Sequence, residues 1–214
     1  MIISHHHKFV FVAIPKTATH AIRNALRPLL KTYDWEQCAL FEEKKFPIEE
    51  LAAQSNGHLA CTQVEPYFPK GTWDSYFKFC FVRNPYDRFV SFCNYYYTAK
   101  MSKNPEATML SLFEEPKTML KQHILLKPQH EFVFDENLVQ KVDFIGKFEH
   151  IATDFKTVCN HLKLTSHSLT ILNESYGNKQ VVNDKLASYI YDHYKLDFEL
   201  FKYSKLYTSW QKNQ

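Results

Sequence analysis

Glycine is scarce in this chain, and its positions exclude the most common phosphate-binding loop. The 214 residues contain only four glycines, Gly57, Gly71, Gly146 and Gly177. None of them lies near Lys16, the lysine that follows the first strongly hydrophobic segment. The Walker A loop requires glycines at fixed positions before its lysine. ATP or GTP hydrolysis by the usual P-loop chemistry is therefore disfavoured.

The sequence also lacks C-x-x-C cysteine pairs, long apolar runs and a strong net charge. The five cysteines form no C-x-x-C pair and are odd in number, which favours a reducing compartment. No apolar run reaches the roughly 18 residues of a membrane-spanning helix, and the N-terminal segment has no signal-peptide core. We therefore expect a cytoplasmic protein without stable membrane insertion. A net charge of only +3 argues against binding nucleic acid through bulk charge.

The hydrophobic pattern predicts an α/β fold with a largely parallel sheet. At 45% hydrophobic residues and 214 positions, the chain suits one domain spanning 1–214. Predicted strands cover 8–14, 76–82 and 142–148, and histidines 5–7 are interpreted as a solvated leader or the start of the first strand. Predicted helices follow these strands, which is the alternation of a parallel sheet. They cover about 21–30, 85–99, 106–126 with a break near Pro116, 151–162, and a final helix capped by Asp184.

Residues 9–20 combine a hydrophobic strand, a short loop with Lys16, and a helix start. Backbone N–H groups and the positive end of a helix dipole converge at such a junction, so it suits a phosphate or sulfate group. The alternative is an ordinary buried strand followed by a helix that Thr17 or Thr19 caps. The segment alone leaves both interpretations open.

Residues 81–91 form a second junction between a strand and a helix, with Arg83 at the end of the strand. Ligands of open α/β sheets bind at the carboxyl ends of strands. A guanidinium there suits bidentate capture of a phosphate, and Ser91 would add a hydroxyl group from the helix. The alternative is a surface ion pair of Asp87 with Arg83 or Arg88, which contributes little.

Together the two junctions resemble the motifs of sulfotransferases that use 3′-phosphoadenosine 5′-phosphosulfate (PAPS). The first reads Pro-Lys-Thr-Ala-Thr-His at 15–20, and the second reads Arg-Asn-Pro-Tyr-Asp-Arg-Phe-Val-Ser at 83–91. The likeness is greatest to the carbohydrate enzymes of the heparan and chondroitin type and their bacterial relatives. It extends more loosely to 127–132, 142–149 and 197–203. It implies a P-loop-like three-layer fold whose central, mainly parallel sheet is flanked by helices.

The resemblance also implies a role for each motif residue. Side chains and amides of the first motif would hold the 5′-phosphosulfate of PAPS, and Lys16 would stabilise the leaving oxygen; the residues are Lys16, Thr17, Ala18, Thr19 and His20. Arg83 and Ser91 would bind the 3′-phosphate. His20 departs from the family's hydroxyl residue, so a capping or packing role for it stays open. No metal is expected, because the lysine and backbone amides supply the positive charge.

His58 is the predicted general base, because it resembles the Gly-His of the family's glycosaminoglycan enzymes between the two nucleotide motifs. Imidazole titrates near neutrality, which suits proton abstraction. The alternative is an exposed histidine beside the Asn-Gly turn at 56–57, since the chain has 11 histidines. Glu65 and His130 are the reserve candidates, and Gln129 with His130 is a candidate lining of the acceptor pocket. Lys179 is a candidate for the basic loop that covers the cofactor in relatives.

The resemblance thus implies a bacterial-type O-sulfotransferase that converts PAPS to 3′,5′-ADP and modifies a hydroxyl group, on a carbohydrate or another acceptor. One alternative is a nucleotide- or glycan-binding protein of the same fold without catalysis. A nucleotide kinase is a second alternative, against which the missing Walker A glycines count.

Overall fold

The computed structural model describes residues 1–37, 46–52, 57–114, 118–164, 169 and 182–207. They belong to two compact units. The first comprises Met1–Val82 and Gln129–Leu172, and the second comprises Arg83–Pro128 and Asn173–Gln214. The strands are β1 (Ile2–Ser4), β2 (Phe9–Val12), β3 (Trp35–Glu36), β4 (Phe77–Val82) and β5 (Phe144–Lys147). The helices are α1 (Thr19–Leu26), α2 (Glu49–Ala52), α3 (Cys61–Val64), α4 (Pro85–Tyr96), α5 (Thr98–Lys103), α6 (Pro105–Leu110), α7 (Thr118–Gln122), α8 (Ile151–His161), α9 (Asp184–His193) and α10 (Lys195–Leu200).

The first unit contains a five-stranded sheet in the order β3-β1-β2-β4-β5. Its core is parallel, because β4 runs parallel to both β2 and β5. Val12 pairs with Cys80, so β2 and β4 end at the same edge of the sheet. This confirms a mixed α/β fold with a sheet that is mostly parallel in its core.

The antiparallel part of the sheet is not predicted from the sequence. β1 forms a hairpin with β2 and also pairs antiparallel with β3, so the predicted first strand is in fact the second. Histidines 5–7 form the hairpin turn rather than a solvated leader. The carboxylate of Asp34 accepts hydrogen bonds from the backbone N–H groups of His5 (2.7 Å) and His6 (3.1 Å) and closes the turn.

One face of the sheet packs against α1 and α8. Alternate strand residues point to this face, as strand geometry requires, and they share a core with apolar residues of both helices. The cluster comprises Ile2, Phe9, Phe11, Ala13, Ile22, Leu26, Phe79, Phe81, Phe155, Val158, Cys159 and Leu164. Gly146 faces Phe81 across the β4–β5 pair, and a Cβ atom there would lie 2.5 Å from the Phe81 ring. Glycine therefore lets the two strands pair beside a buried phenylalanine.

The described cysteines are buried thiols: Cys61, Cys80, Cys93 and Cys159. Burial raises the pKa of the Cys61 thiol to about 12 and lifts the pKa of Cys80 well above its ordinary value. Both therefore stay protonated at neutral pH and behave as small apolar side chains.

The second unit is helical and is organised around α4. Pro85 is the first residue of α4, as predicted, and the Asn84 side chain caps the helix by accepting a hydrogen bond from Tyr86 N–H (3.0 Å). Arg88 is buried, and its Nη2 donates to the carbonyls of Leu125 (3.1 Å) and Lys127 (2.9 Å). Arg88 therefore ties α4 to the 125–127 segment, and its interpretation as a surface ion pair is wrong.

The predicted helices differ from the structure in their ends and caps, and one predicted feature lies outside the described residues. Asn183, not Asp184, caps α9, since its side-chain oxygen accepts from Leu186 N–H (2.9 Å). α9 is not the final helix, because α10 follows it. The break predicted near Pro116 falls outside the described residues. Within the described ranges, we find no helix with the length and apolar character needed to cross a membrane.

Candidate functional site

The loop after β2 takes a glycine-like path without glycine. Lys16 and Ala18 both have left-handed backbone conformations, with φ of 66° and 63°. This conformation costs an L-residue roughly 1–2 kcal/mol. Left-handed residues between right-handed ones turn successive N–H groups to one side, and such nests bind anions. The chain thus accepts local strain to form a loop of the shape that an anion site requires.

Neither threonine of the loop caps α1. The N-cap position belongs to Ala18, and no side chain supplies a capping hydrogen bond. The hydroxyl of buried Thr17 instead donates to the Ile14 carbonyl (2.9 Å), so its hydrogen braces the loop. Thr19 is the first residue of α1 and is buried. Alanine has no side-chain acceptor, so the N-cap residue itself does not cap the N–H groups of the first turn.

Lys16 and His20 differ in exposure at this helix start. Lys16 is half-buried, whereas His20 is exposed at the second position of α1. Desolvation, together with the positive charges of Arg23 and Lys16, lowers the pKa of His20 below its ordinary value. His20 is therefore neutral at pH 7 and offers a hydrogen-bond donor without a charge.

The structure brings His58 to the start of this loop. Its Nδ1 lies 2.7 Å from the carbonyl oxygen of Ala13, the residue that follows β2. A carbonyl oxygen only accepts, so Nδ1 carries the hydrogen, and in the neutral ring the lone pair belongs to Nε2. The hydrogen bond therefore selects the tautomer in which Nε2 is the basic atom, and its acceptor, Ala13, lies three residues before Lys16 in the chain.

The burial and the hydrogen bonds of Arg23 are not predicted from the sequence. This residue lies opposite the apolar residues of the predicted helix over 21–30, a position that predicts exposure, but it is only 3% exposed. Its Nη1 donates to Glu36 Oε1 (2.7 Å), and its Nη2 donates to the Gly57 carbonyl (2.8 Å). Burial of Glu36 opposes its ionisation, yet hydrogen bonds from Arg27 and Arg23 lower its pKa. No local pattern signals this network, because it joins a helix, an edge strand and the segment before His58.

The reserve candidates for the base have other partners or surroundings. Glu65 forms an ion pair with Lys141 (3.6 Å), which also pairs with Asp135 (3.4 Å). Gln129 is fully buried, and His130 is half-buried at the start of a 3₁₀ turn. Glu65 is thus part of a charge cluster in the first unit.

The residues of the second motif lie in the second unit. Arg83 directly follows β4 and precedes the Asn84 cap, and it is half-buried. Ser91 lies two turns into α4 and is also half-buried. It follows Asn84 by seven residues, a spacing that puts both on one face of the helix. Lys179 lies outside the described residues.

Within the part of the chain that the structure describes, no group of three or more His, Cys, Asp or Glu residues is positioned to hold a metal ion.

Comparison with known proteins identifies one family. A family model described as "Sulfotransferase family" matches residues 1–204, a range that contains both motifs. Curated proteins and solved structures give no significant match. Because the matched range covers nearly the whole chain, the protein belongs to the sulfotransferase family.

Proposed function

We propose that this protein is a PAPS-dependent O-sulfotransferase whose acceptor is a carbohydrate hydroxyl group. The observation that carries the proposal is the hydrogen bond between His58 Nδ1 and the Ala13 carbonyl (2.7 Å). It holds the imidazole, in the tautomer whose Nε2 is the basic atom, beside a strained loop that contains Lys16 and follows a parallel strand. Membership of the family supports sulfuryl transfer in general.

The proposed contacts to PAPS, the sulfate donor, are made by residues of the two motifs. Lys16, the hydroxyl of Thr19 and the backbone N–H groups of the loop, including those of Thr17 and Ala18, hold the 5′-phosphosulfate. We assign Thr17 a backbone contact because its hydroxyl hydrogen is bonded to Ile14. His20 adds a neutral donor at the edge of the loop. The proposed architecture is a single P-loop-like, three-layer domain.

Arg83 and Ser91 bind the 3′-phosphate in this proposal. A guanidinium group forms two parallel hydrogen bonds to a phosphate, and a serine hydroxyl adds a third. The assignment rests on the complete motif at 83–91, since the structure describes these residues in a unit separate from the loop.

The reaction requires an in-line displacement at sulfur. The acceptor oxygen forms a bond to sulfur while its proton passes to Nε2 of His58. The bond between sulfur and the phosphate oxygen breaks, and its electron pair leaves with 3′,5′-ADP. Lys16 stabilises the charge that develops on that oxygen. By analogy with phosphoryl transfer, positioning and electrostatics supply most of the rate enhancement, and a lysine with backbone amides supplies the charge without a metal.

The direct test is incubation with ³⁵S-labelled PAPS and a panel of glycans and small alcohols. We expect label to pass to a carbohydrate hydroxyl group and 3′,5′-ADP to accumulate. A protein that binds 3′,5′-ADP but labels no acceptor would be a binding protein without catalysis. In a parallel thermal-shift experiment, greater stabilisation by ATP with Mg²⁺ than by 3′,5′-ADP would contradict the proposal and favour a nucleotide kinase.

A further inference from the structure

The helix that begins at the loop also contacts the segment that carries His58. α1 starts at Thr19, directly after the loop, and Arg23 follows one turn later. The guanidinium of Arg23 is buried and donates through Nη2 to the Gly57 carbonyl (2.8 Å). One helix therefore contacts both elements that sulfuryl transfer would use.

His58 is restrained on two sides. Its ring is bonded to the Ala13 carbonyl, and the preceding peptide group is held through the Gly57 carbonyl. Gly57 has φ of 88°, a conformation that favours glycine, and its carbonyl also accepts from the α-amino group of Met1 (2.6 Å). The backbone in front of the imidazole is thus fixed as well as the imidazole itself.

The guanidinium group of Arg23 matches its surroundings in geometry. Its planar fork reaches three acceptors at once, namely Glu36 Oε1 (2.7 Å), the Gln37 carbonyl (3.2 Å) and the Gly57 carbonyl (2.8 Å). A buried ion pair contributes little net stability, because desolvation offsets the attraction between its charges. Its value here is geometric, since Glu36 orients the guanidinium that holds Gly57.

We propose that Arg23 is a positioning residue for the general base, acting through Gly57 on His58. This inference rests on the proposed function of His58 as the base. Arg23 does not touch the reacting atoms; it sets where Nε2 lies relative to the acceptor and the loop. Misplacement of a catalytic group by about 1 Å costs on the order of 100-fold in rate.

The test compares Arg23→Met with Arg27→Met, a matched control. All three guanidinium nitrogens of Arg27 donate to Glu36 or Asn24, so it shares the ion pair with Glu36. With PAPS and the acceptor that the panel identifies, we expect Arg23→Met to lower kcat by about 10- to 100-fold with little change in the KM for PAPS. Arg27→Met is expected to stay within about threefold of the unmodified protein, because a partly exposed ion pair contributes little. Equal losses in both variants would overturn the proposal.

A double-mutant cycle separates positioning from a general structural role. In the His58→Ala background no base remains to be positioned, so adding Arg23→Met should cause no further loss of turnover. If the two substitutions instead lower turnover independently, so that their effects multiply, the proposed role of Arg23 is wrong and that of His58 is unaffected. Full activity of His58→Ala alone would instead overturn the proposed base, and with it this inference.

A second variant and a second measurement apply if Arg23→Met does not fold. Arg23→Lys keeps a cation for Glu36 but cannot reach three acceptors, so it should fold and still lose kcat. ¹⁵N NMR of histidine-labelled protein, with the His58 signals assigned through His58→Ala, reports the ring tautomer without any acceptor. We expect Nδ1–H in the unmodified protein and a mixture of tautomers in Arg23→Lys. An unchanged tautomer together with unchanged kcat would overturn the proposal.

Discussion

A histidine serves as a base only if its unprotonated nitrogen faces the acceptor, and at residue 58 a backbone carbonyl decides which nitrogen that is. The Ala13 oxygen accepts from Nδ1, so Nε2 is the basic atom. The same carbonyl follows β2, the strand that leads into the loop. The chemistry of a single side chain is therefore set by a main-chain atom of the neighbouring strand end.

Replacement of this histidine tests its role most directly. We expect His58→Ala to lower turnover at least about tenfold, because general-base assistance contributes 10²–10⁴ in rate. Affinity for 3′,5′-ADP, measured by calorimetry, should stay unchanged. His130→Ala is the control and should keep its turnover. Full activity of His58→Ala with loss in His130→Ala would move the base to His130.

Arg83 is tested by a pair of ligands that differ in one phosphate group. Arg83→Ala should weaken binding of 3′,5′-ADP at least tenfold, because a charge-assisted bidentate contact is lost. Adenosine 5′-phosphosulfate has no 3′-phosphate, so its affinity should change much less. Isothermal titration of both ligands measures the difference, and equal losses would contradict a contact with the 3′-phosphate.

At the scale of elements, the start of α1 contains a strained residue, Ala18, and we expect one substitution to relieve this strain. Ala18→Gly should raise the free energy of unfolding by about 0.5–1 kcal/mol, since glycine adopts a left-handed conformation without penalty but adds entropy to the unfolded chain. Ala21→Gly is the matched control within α1 and should lower that free energy by about 1 kcal/mol. Urea denaturation measures both variants. Destabilisation by Ala18→Gly would show that the left-handed backbone carries no strain.

Elements with a strong local signal are predictable from the sequence, and those defined by distant partners are not. The long apolar run of β4 and the Pro85 start of α4 are both found as predicted. β1 is only three residues long, and it is stabilised by pairing with β2 and β3 rather than by its own pattern. Arg23 likewise reads as a surface residue, because its partner Glu36 lies on a different element.

In the candidate site, too, residues with a local sequence signal are predictable, whereas contacts with distant partners are not. The strand–loop–helix pattern nominates Lys16, and the resemblance to the family's Gly-His pair nominates His58. Neither signal reveals that Thr17 braces the loop through Ile14, or that Gly57 is held by Arg23. Those contacts depend on the folded path of the backbone.

For the whole molecule, we expect stability to fall steadily on acidification. Burial lowers the pKa values of His5 and His123 below 6.5 in the folded protein. On acidification these two histidines are therefore protonated in the unfolded chain first, and stability declines as the pH falls through 6.5. Hydrogen bonds to Asp34 and Glu36 outweigh burial and lower their pKa values below 3.8 and 4.5. Their contribution is present above those values and is lost as the pH falls through the lower pKa values of the folded state.

Calorimetric scans between pH 7.5 and pH 3 check this expectation. The melting temperature should begin to decrease near pH 6.5 and decrease more steeply below about pH 4.5. A melting temperature that is constant down to pH 5 would contradict the histidine contribution, and one that rises on acidification would contradict both.

The buried thiols give each compact unit its own reporter of opening. Cys61, Cys80 and Cys159 lie in the first unit, and Cys93 lies in the second. A thiol reagent reaches such a sulfur atom only when the surrounding structure opens. Residue-resolved mass spectrometry of alkylation in dilute urea would therefore compare the opening of the sheet unit with that of the helical unit. Equal alkylation rates for Cys80 and Cys93 would mean that both units open in one cooperative step.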